Sequence, residues 1–121
     1  MAKTILVVDD SSSLRQVVRM ALAGAGYNVI EAADGQAALG LMDGRQISMT
    51  VCDVNMPVMN GIEFVKAAKA LNAYKFMPIM MLTTESQEAK KDEGKAAGVR
   101  AWMVKPFSPN QLLTAVNKLC P

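Results

Sequence analysis

Three aspartates, two threonines and a lysine stand directly behind short apolar runs in this chain. Asp9 and Asp10 follow Ile5 to Val8, Asp53 follows Met49 to Cys52, Thr83 and Thr84 follow Met77 to Leu82, and Lys105 with Pro106 follows Ala101 to Val104. If those runs are neighbouring strands, their ends deliver three carboxylates, hydroxyls and one ammonium to a single rim. Two unit charges ~4 Å apart repel by about 4 kcal/mol at an effective dielectric near ~20, so such a cluster needs a cation or a shifted protonation. Carboxylate oxygens with no thiolate or imidazole beside them select a hard divalent ion, and a partly hydrated one held by two or three carboxylates suits Mg2+. Lys105 places a fixed counter-charge in the same field. A metal, a lysine and a hydroxyl around one aspartate form the set that neutralises a phosphoryl group in transfer. Taken one at a time, each residue also has a plain structural use: Asp10 or Ser11 as a helix cap, Asp53 as the start of a turn towards Pro57, Lys105 as a solvated loop lysine. Their convergence favours the chemical reading.

Composition narrows the field further. The chain has 121 residues, 51% of them hydrophobic, a net charge of +2 and no histidine. That size predicts one core-forming domain over 1–121. Without histidine there is no Ser-His-Asp or Cys-His catalysis, no imidazole metal ligand and no phosphohistidine on this chain, so any phosphoryl donor is another molecule. Cys52 and Cys120 lack metal-ligand spacing, which argues against a disulfide or zinc site and for a reduced, cytoplasmic setting. No run approaches the ~18 apolar residues of a membrane span, and no basic patch points to nucleic acid. The ten methionines sit in or beside apolar runs and read as core filling.

The elements that must hold the rim follow from periodicity. The five apolar runs, with a second at Asn28 to Glu31, each read as a strand buried on both faces. Between them, Ser11 to Gly26 predicts a helix burying Leu14, Val17, Val18, Ala21, Leu22 and Ala25, capped by serines. A second helix starts at Asp34-Gly35 and buries Ala38, Leu41 and Met42. A third starts at Asn60-Gly61 and buries Ile62, Val65, Ala68 and Leu71. The fourth, about Gln87 to Ala97, sets many charges against alanines and predicts weak anchoring, since burying Ala gains far less than burying Leu at ~25 cal/mol per Å2. The fifth begins at Pro109 and buries Leu112, Leu113, Val116 and Leu119. Strict alternation implies an α/β fold with a parallel sheet, helices on both faces and a site at the carboxyl ends of the strands.

The segments Val7 to Ser11, Cys52 to Gly61, Met81 to Glu85 and Val104 to Phe107, in that order and spacing, resemble the receiver domains of two-component response regulators. The likeness covers essentially the whole chain and is strongest to stand-alone CheY-type chemotaxis regulators. It implies a flavodoxin-like three-layer sandwich, a five-stranded parallel sheet in the order 2-1-3-4-5 with five helices. It further implies that Asp53 is the phosphoacceptor, that Asp9, Asp10, Asp53 and the Asn55 backbone carbonyl hold Mg2+, and that Thr83 and Lys105 hold the phosphoryl oxygens. Asn55 and Glu85 match positions that tune dephosphorylation. Trp102 matches an aromatic switch position usually filled by Tyr or Phe. Its larger ring argues against complete burial, and a permanently packed strand aromatic is the other reading. Lys90, Lys91 and Lys95, with Arg100 and Lys118, fall on the face of the fourth helix, fifth strand and fifth helix, where a partner or only water meets them.

The implied partners are a CheA-like histidine kinase as donor, a flagellar switch protein and a phosphatase, with the chain itself a monomer that turns over no external substrate. A phosphorelay intermediate or phosphate sink without direct motor binding is the alternative, because its acceptor site would look the same. An aspartyl phosphatase would need a general acid two residues after Asp53, where Asn55 stands. A dinucleotide module would need a glycine-rich loop after the first strand, where Asp-Asp-Ser stands.

Overall fold

The computed structural model describes residues 3–56, 58–83 and 90–120, with the side chain of Lys90 excepted. Each apolar run becomes a strand and each periodic stretch the crossover that a parallel neighbour requires. The order is β1 (Thr4–Val8), α1 (Ser12–Gly24), β2 (Asn28–Ala32), α2 (Gly35–Leu41), β3 (Met49–Asp53), α3 (Gly61–Lys69), a short 3-10 turn (Asn72–Tyr74), β4 (Ile79–Thr83), α4 (Lys90–Ala97), β5 (Ala101–Val104) and α5 (Pro109–Leu119). All pairings are parallel, in the order β2-β1-β3-β4-β5. The order reverses between β1 and β3, which opens a crevice at their carboxyl ends.

Alternation along the strands divides the core into two layers. Leu6, Val8, Cys52, Val54 and Met81 pack with Phe64, Val65 and Ala38 of α2 and α3. Ile5, Val7, Val51, Met80 and Leu82 pack on the opposite face with Val18 and Leu22 of α1 and Leu112 and Val116 of α5. Polar caps fix where the helices begin: Ser11 accepts from the Leu14 amide, Asp34 from Ala37, and both Asn60 with Glu63 and Ser108 with Gln111 form capping boxes. Cys52 and Cys120 are free and buried. No helix among the described residues is long and apolar enough to cross a membrane.

Several local expectations need correction. The edge strands β2 and β5 are only partly buried, because each has one hydrogen-bonded neighbour and a single helix layer does not close over an edge. Val17 is 53% exposed, and Leu71 and Ala25, the latter just past the end of α1 at Gly24, also lie at the surface. Val17 fits the helical period, but Val18 and Leu22, flanked by the partly buried Leu14 and Ala21, fill the face of α1 that meets the sheet. Phe64 is the large residue that fully seals α3. β4 starts at Ile79, after Met77 and Pro78, and the predicted helix start at Gln87 lies outside the described residues. Met42, Met49, Met77, Met80 and Met81 are core residues, whereas Met20 is exposed.

Candidate functional site

Strand register assembles the rim. Val8 of β1 is opposite Cys52 of β3, Asp53 is opposite Leu82 of β4, and Thr83 is opposite Val104 of β5. One step further along each strand, Asp9, Asp53, Thr83 and Lys105 come out side by side across the crevice. Asp53 and Thr83 are the last residues of their strands, and Asp9 follows its strand directly. Asp9 is 1% and Asp53 6% exposed, Thr83 is buried, and Asp10 stands at the solvent-facing mouth.

The three aspartates each offer an oxygen within 4.8 Å of the others. Lys105 Nζ donates to Asp53 Oδ1 at 3.1 Å and lies 3.6 Å from Asp9 Oδ2. That second distance is an ion pair without a hydrogen bond, and Asp9 Oδ2 is buried with no hydrogen-bond partner among the described residues. Burial pushes the Asp53 carboxyl above the ordinary aspartate value, and the Lys105 ammonium and the Asn55 backbone amide oppose that rise. Asp9 is raised for the same first reason, with the Ser11 amide pulling it down and the Asp53 charge pushing it up. One lysine thus leaves the cluster short of positive charge. A buried carboxylate oxygen without a donor, beside two more carboxylates and an open mouth, fits a hard divalent cation such as Mg2+.

Two further residues help to build this site: Gly61, which sequence reasoning treated only as a helix start, and Arg15, which it passed over. Gly61 opens α3 directly behind Asp53, donating its amide to the Val54 carbonyl at 2.8 Å. A Cβ there would run into the Asp53 carbonyl oxygen and the Met81 methyl group, so only glycine lets α3 start this close to β3. Arg15 of α1 donates through Nη1 to the Asp9 carbonyl at 2.5 Å and through Nε to Glu31 of β2 at 3.2 Å. Arg15 and Glu31 are 16 residues apart, and no local spacing announces such a pair. The Asn60-Gly61 dipeptide was the one visible signal, since it marked where α3 begins.

The response regulator receiver domain model matches residues 5–117. The chain belongs to this family. Chemotaxis protein CheY1 of Helicobacter pylori is 41% identical over 110 residues, 89% of each chain. Chemotaxis protein CheY of Pseudomonas aeruginosa is 35% identical over 116 residues, 95% of this chain and 94% of the relative. Among solved structures, chemotaxis protein CheY4 of Vibrio cholerae is 49% identical and superposes with a TM-score of 0.94, covering 98% of this chain and 99% of that one. This receiver is therefore of the CheY type, and its strand order is the one that the resemblance implied.

Three residues before Lys105, Trp102 of β5 is partly buried and packs against the core layer that contains Phe64, Met81 and Val99. Its indole N–H is buried with no acceptor among the described residues. Gly94 of α4 lies against the ring so closely that a Cβ would overlap two of its atoms. Lys95 and Arg100 are exposed, Lys91 is half-buried, and Lys118 lines a groove of about 790 Å3 between β5 and α5 together with Trp102 and Asn110. Lys91 and Lys95 do not line that groove. Asn55 is exposed two residues beyond Asp53, whereas Glu85 and Thr84 lie outside the described residues.

Proposed function

We propose that this receiver takes a phosphoryl group onto Asp53 from the phosphohistidine of a CheA-like histidine kinase, and signals through the face formed by α4, β5 and α5. The observation that carries this reading is the ammonium of Lys105 held 3.1 Å from Oδ1 of a nearly buried Asp53, with Asp9 and Asp10 beside it. The Asp53 carboxylate attacks phosphorus, the donor's N–P bond breaks, and the histidine leaves with the bonding electrons. Lys105 balances charge on the incoming oxygens, and the Thr83 hydroxyl at the end of β4 donates a hydrogen bond to one of them. Mg2+, held by Asp9, Asp10, Asp53 and the Asn55 backbone carbonyl, supplies further positive charge when bound. Asn55 and Glu85 set how readily water attacks the acyl phosphate.

The single receiver unit acts as a cytoplasmic monomer, modifying only itself. Added phosphoryl charge draws Thr83 towards it, and Trp102 responds in the space behind. The exposed lysines of α4 and α5 then meet a flagellar switch protein or a phosphatase. Incubation with Mg2+ and an acyl phosphate or a histidine kinase should add one phosphoryl mass. The gain should vanish in Asp53→Asn, and a gain that survives overturns the assignment. Capture of a flagellar switch protein only with a phosphate analogue bound supports motor signalling. Capture of a histidine phosphotransfer protein alone would make the chain a relay or phosphate sink instead.

A further inference from the structure

Asp9 is restrained on three sides. Its amide donates to the Ala32 carbonyl at 3.1 Å, its Oδ1 accepts from the Ser11 amide at 2.9 Å, and its carbonyl accepts from Arg15 Nη1 at 2.5 Å. What remains is Oδ2, buried and without a donor among the described residues. Arg15 reaches back because it sits one helical turn after Ser11, whose carbonyl accepts its amide at 3.0 Å. The other edge of the guanidinium meets Glu31, and Glu31 Oε2 also accepts from Arg19 Nη1 at 2.7 Å. The Arg15 and Glu31 side chains are only 18% and 25% exposed, so the planar fork is held in one orientation.

Building on the cation site proposed above, we infer that Arg15, anchored by Glu31, is a positioning residue that fixes the backbone at Asp9 and so sets the affinity of the rim for a divalent cation. A guanidinium beside a cation site would repel the ion through its charge, but the Glu31 carboxylate lies against that charge and offsets it. Geometry is therefore what Arg15 contributes. Lysine keeps the charge but offers a single donor point, which cannot span Glu31 and the Asp9 carbonyl together.

The experiment is calorimetric titration of MgCl2 into unphosphorylated protein, with NMR of the Asp10 amide in metal-free samples, because that amide shares the peptide group that Arg15 contacts. Arg15→Lys and Arg15→Met should each weaken Mg2+ binding by about tenfold, the usual cost of losing an outer-shell partner, and Glu31→Gln by a smaller factor. Arg15→Lys should also move the metal-free Asp10 resonance while the fold still melts cooperatively. Affinity of Arg15→Lys within about twofold of wild type, or tighter binding by Arg15→Met, overturns the inference. A wild-type protein that binds no Mg2+ defeats the cation site itself, and an unmoved Asp10 resonance then also defeats the positioning of Asp9 by Arg15.

Discussion

Gly61 and Gly94 each admit a close neighbour in this receiver, and the neighbours differ in kind. At the rim, Gly61 faces the carbonyl oxygen of Asp53, part of a central strand that pairs on both edges and cannot retreat. Within α4, Gly94 faces the tip of the Trp102 ring, which belongs to an edge strand with one neighbour. The ring carries a buried N–H without an acceptor among the described residues, which costs roughly 1–3 kcal/mol and would be relieved by turning towards water. The same device, a missing Cβ, therefore locks geometry at the chemical end and leaves an adjustable contact at the other. The proposed phosphoryl chemistry would need the first and the proposed signalling face the second.

Gly61→Ala should break the rigid side. Backbone cannot yield as a side chain can, so the cost is expected near ~3 kcal/mol, at the upper end for overpacking, with Tm lower by roughly 10 °C. Phosphoryl uptake at Asp53 should fall with it, since α3 can move only by carrying the end of β3 along. A melting temperature within a degree or so of wild type would show that the rim gives way as readily as the α4 side.

Gly94→Ala should separate the two sides most clearly. The ring can swing out, and the helix gains about 1 kcal/mol from replacing glycine, so the net change in stability should stay within ~1 kcal/mol. Trp102 is the sole tryptophan, so its emission should shift to the red and its quenching by acrylamide should rise, with no phosphoryl group added. A loss of ~3 kcal/mol with unchanged emission would instead make the Trp102 contact as rigid as the one at Gly61.

How far these features could be read from sequence follows the same division. The strand-end residues Asp9, Asp53 and Lys105 were legible because a buried parallel strand is a continuous apolar run, and the first polar residue marks its end. Asp34, Asn60 and Pro109 likewise announced their helices through capping and first-turn chemistry. The Arg15–Glu31 pair was not legible, since it joins two elements through register that no spacing encodes. Nor was the slot at Gly94, because a glycine among charged residues reads as tolerance of a loose helix. Val17 misled because periodicity gives a face without saying how much of it the sheet covers.

A metal-free rim should also show its charge deficit as a dependence on pH. Asp9 and Asp53 have raised pKa values in the fold, so between the unfolded and folded values the native state binds more protons than the unfolded one. Stability contributed by these groups is therefore lost as pH rises through that window. In the presence of a chelator, Asp53→Asn should melt higher than wild type at neutral pH, with the difference closing as acid protonates both carboxyls. Mg2+ at about ten times its Kd should stabilise wild type by about 1.4 kcal/mol and Asp53→Asn by less. A wild-type melting temperature indifferent to both chelator and pH would mean that the rim is already balanced.

The smallest effect should come from the loop that leads from Asp53 towards Gly61. Val58 there has φ of 69°, a left-handed conformation that a β-branched residue adopts only under strain, and it is 78% exposed, so no packing repays it. Asparagine tolerates this region and keeps more backbone restriction than glycine when unfolded. Val58→Asn should therefore raise stability by about 0.5–1 kcal/mol, seen as a melting temperature a few degrees higher. If the rigidity of the rim is set by Gly61 and the strand ends, phosphoryl uptake at Asp53 should be unchanged in this variant. If uptake instead drops while stability rises, the strain at Val58 belongs to the chemistry, and the rim extends outward along its loop to that exposed side chain.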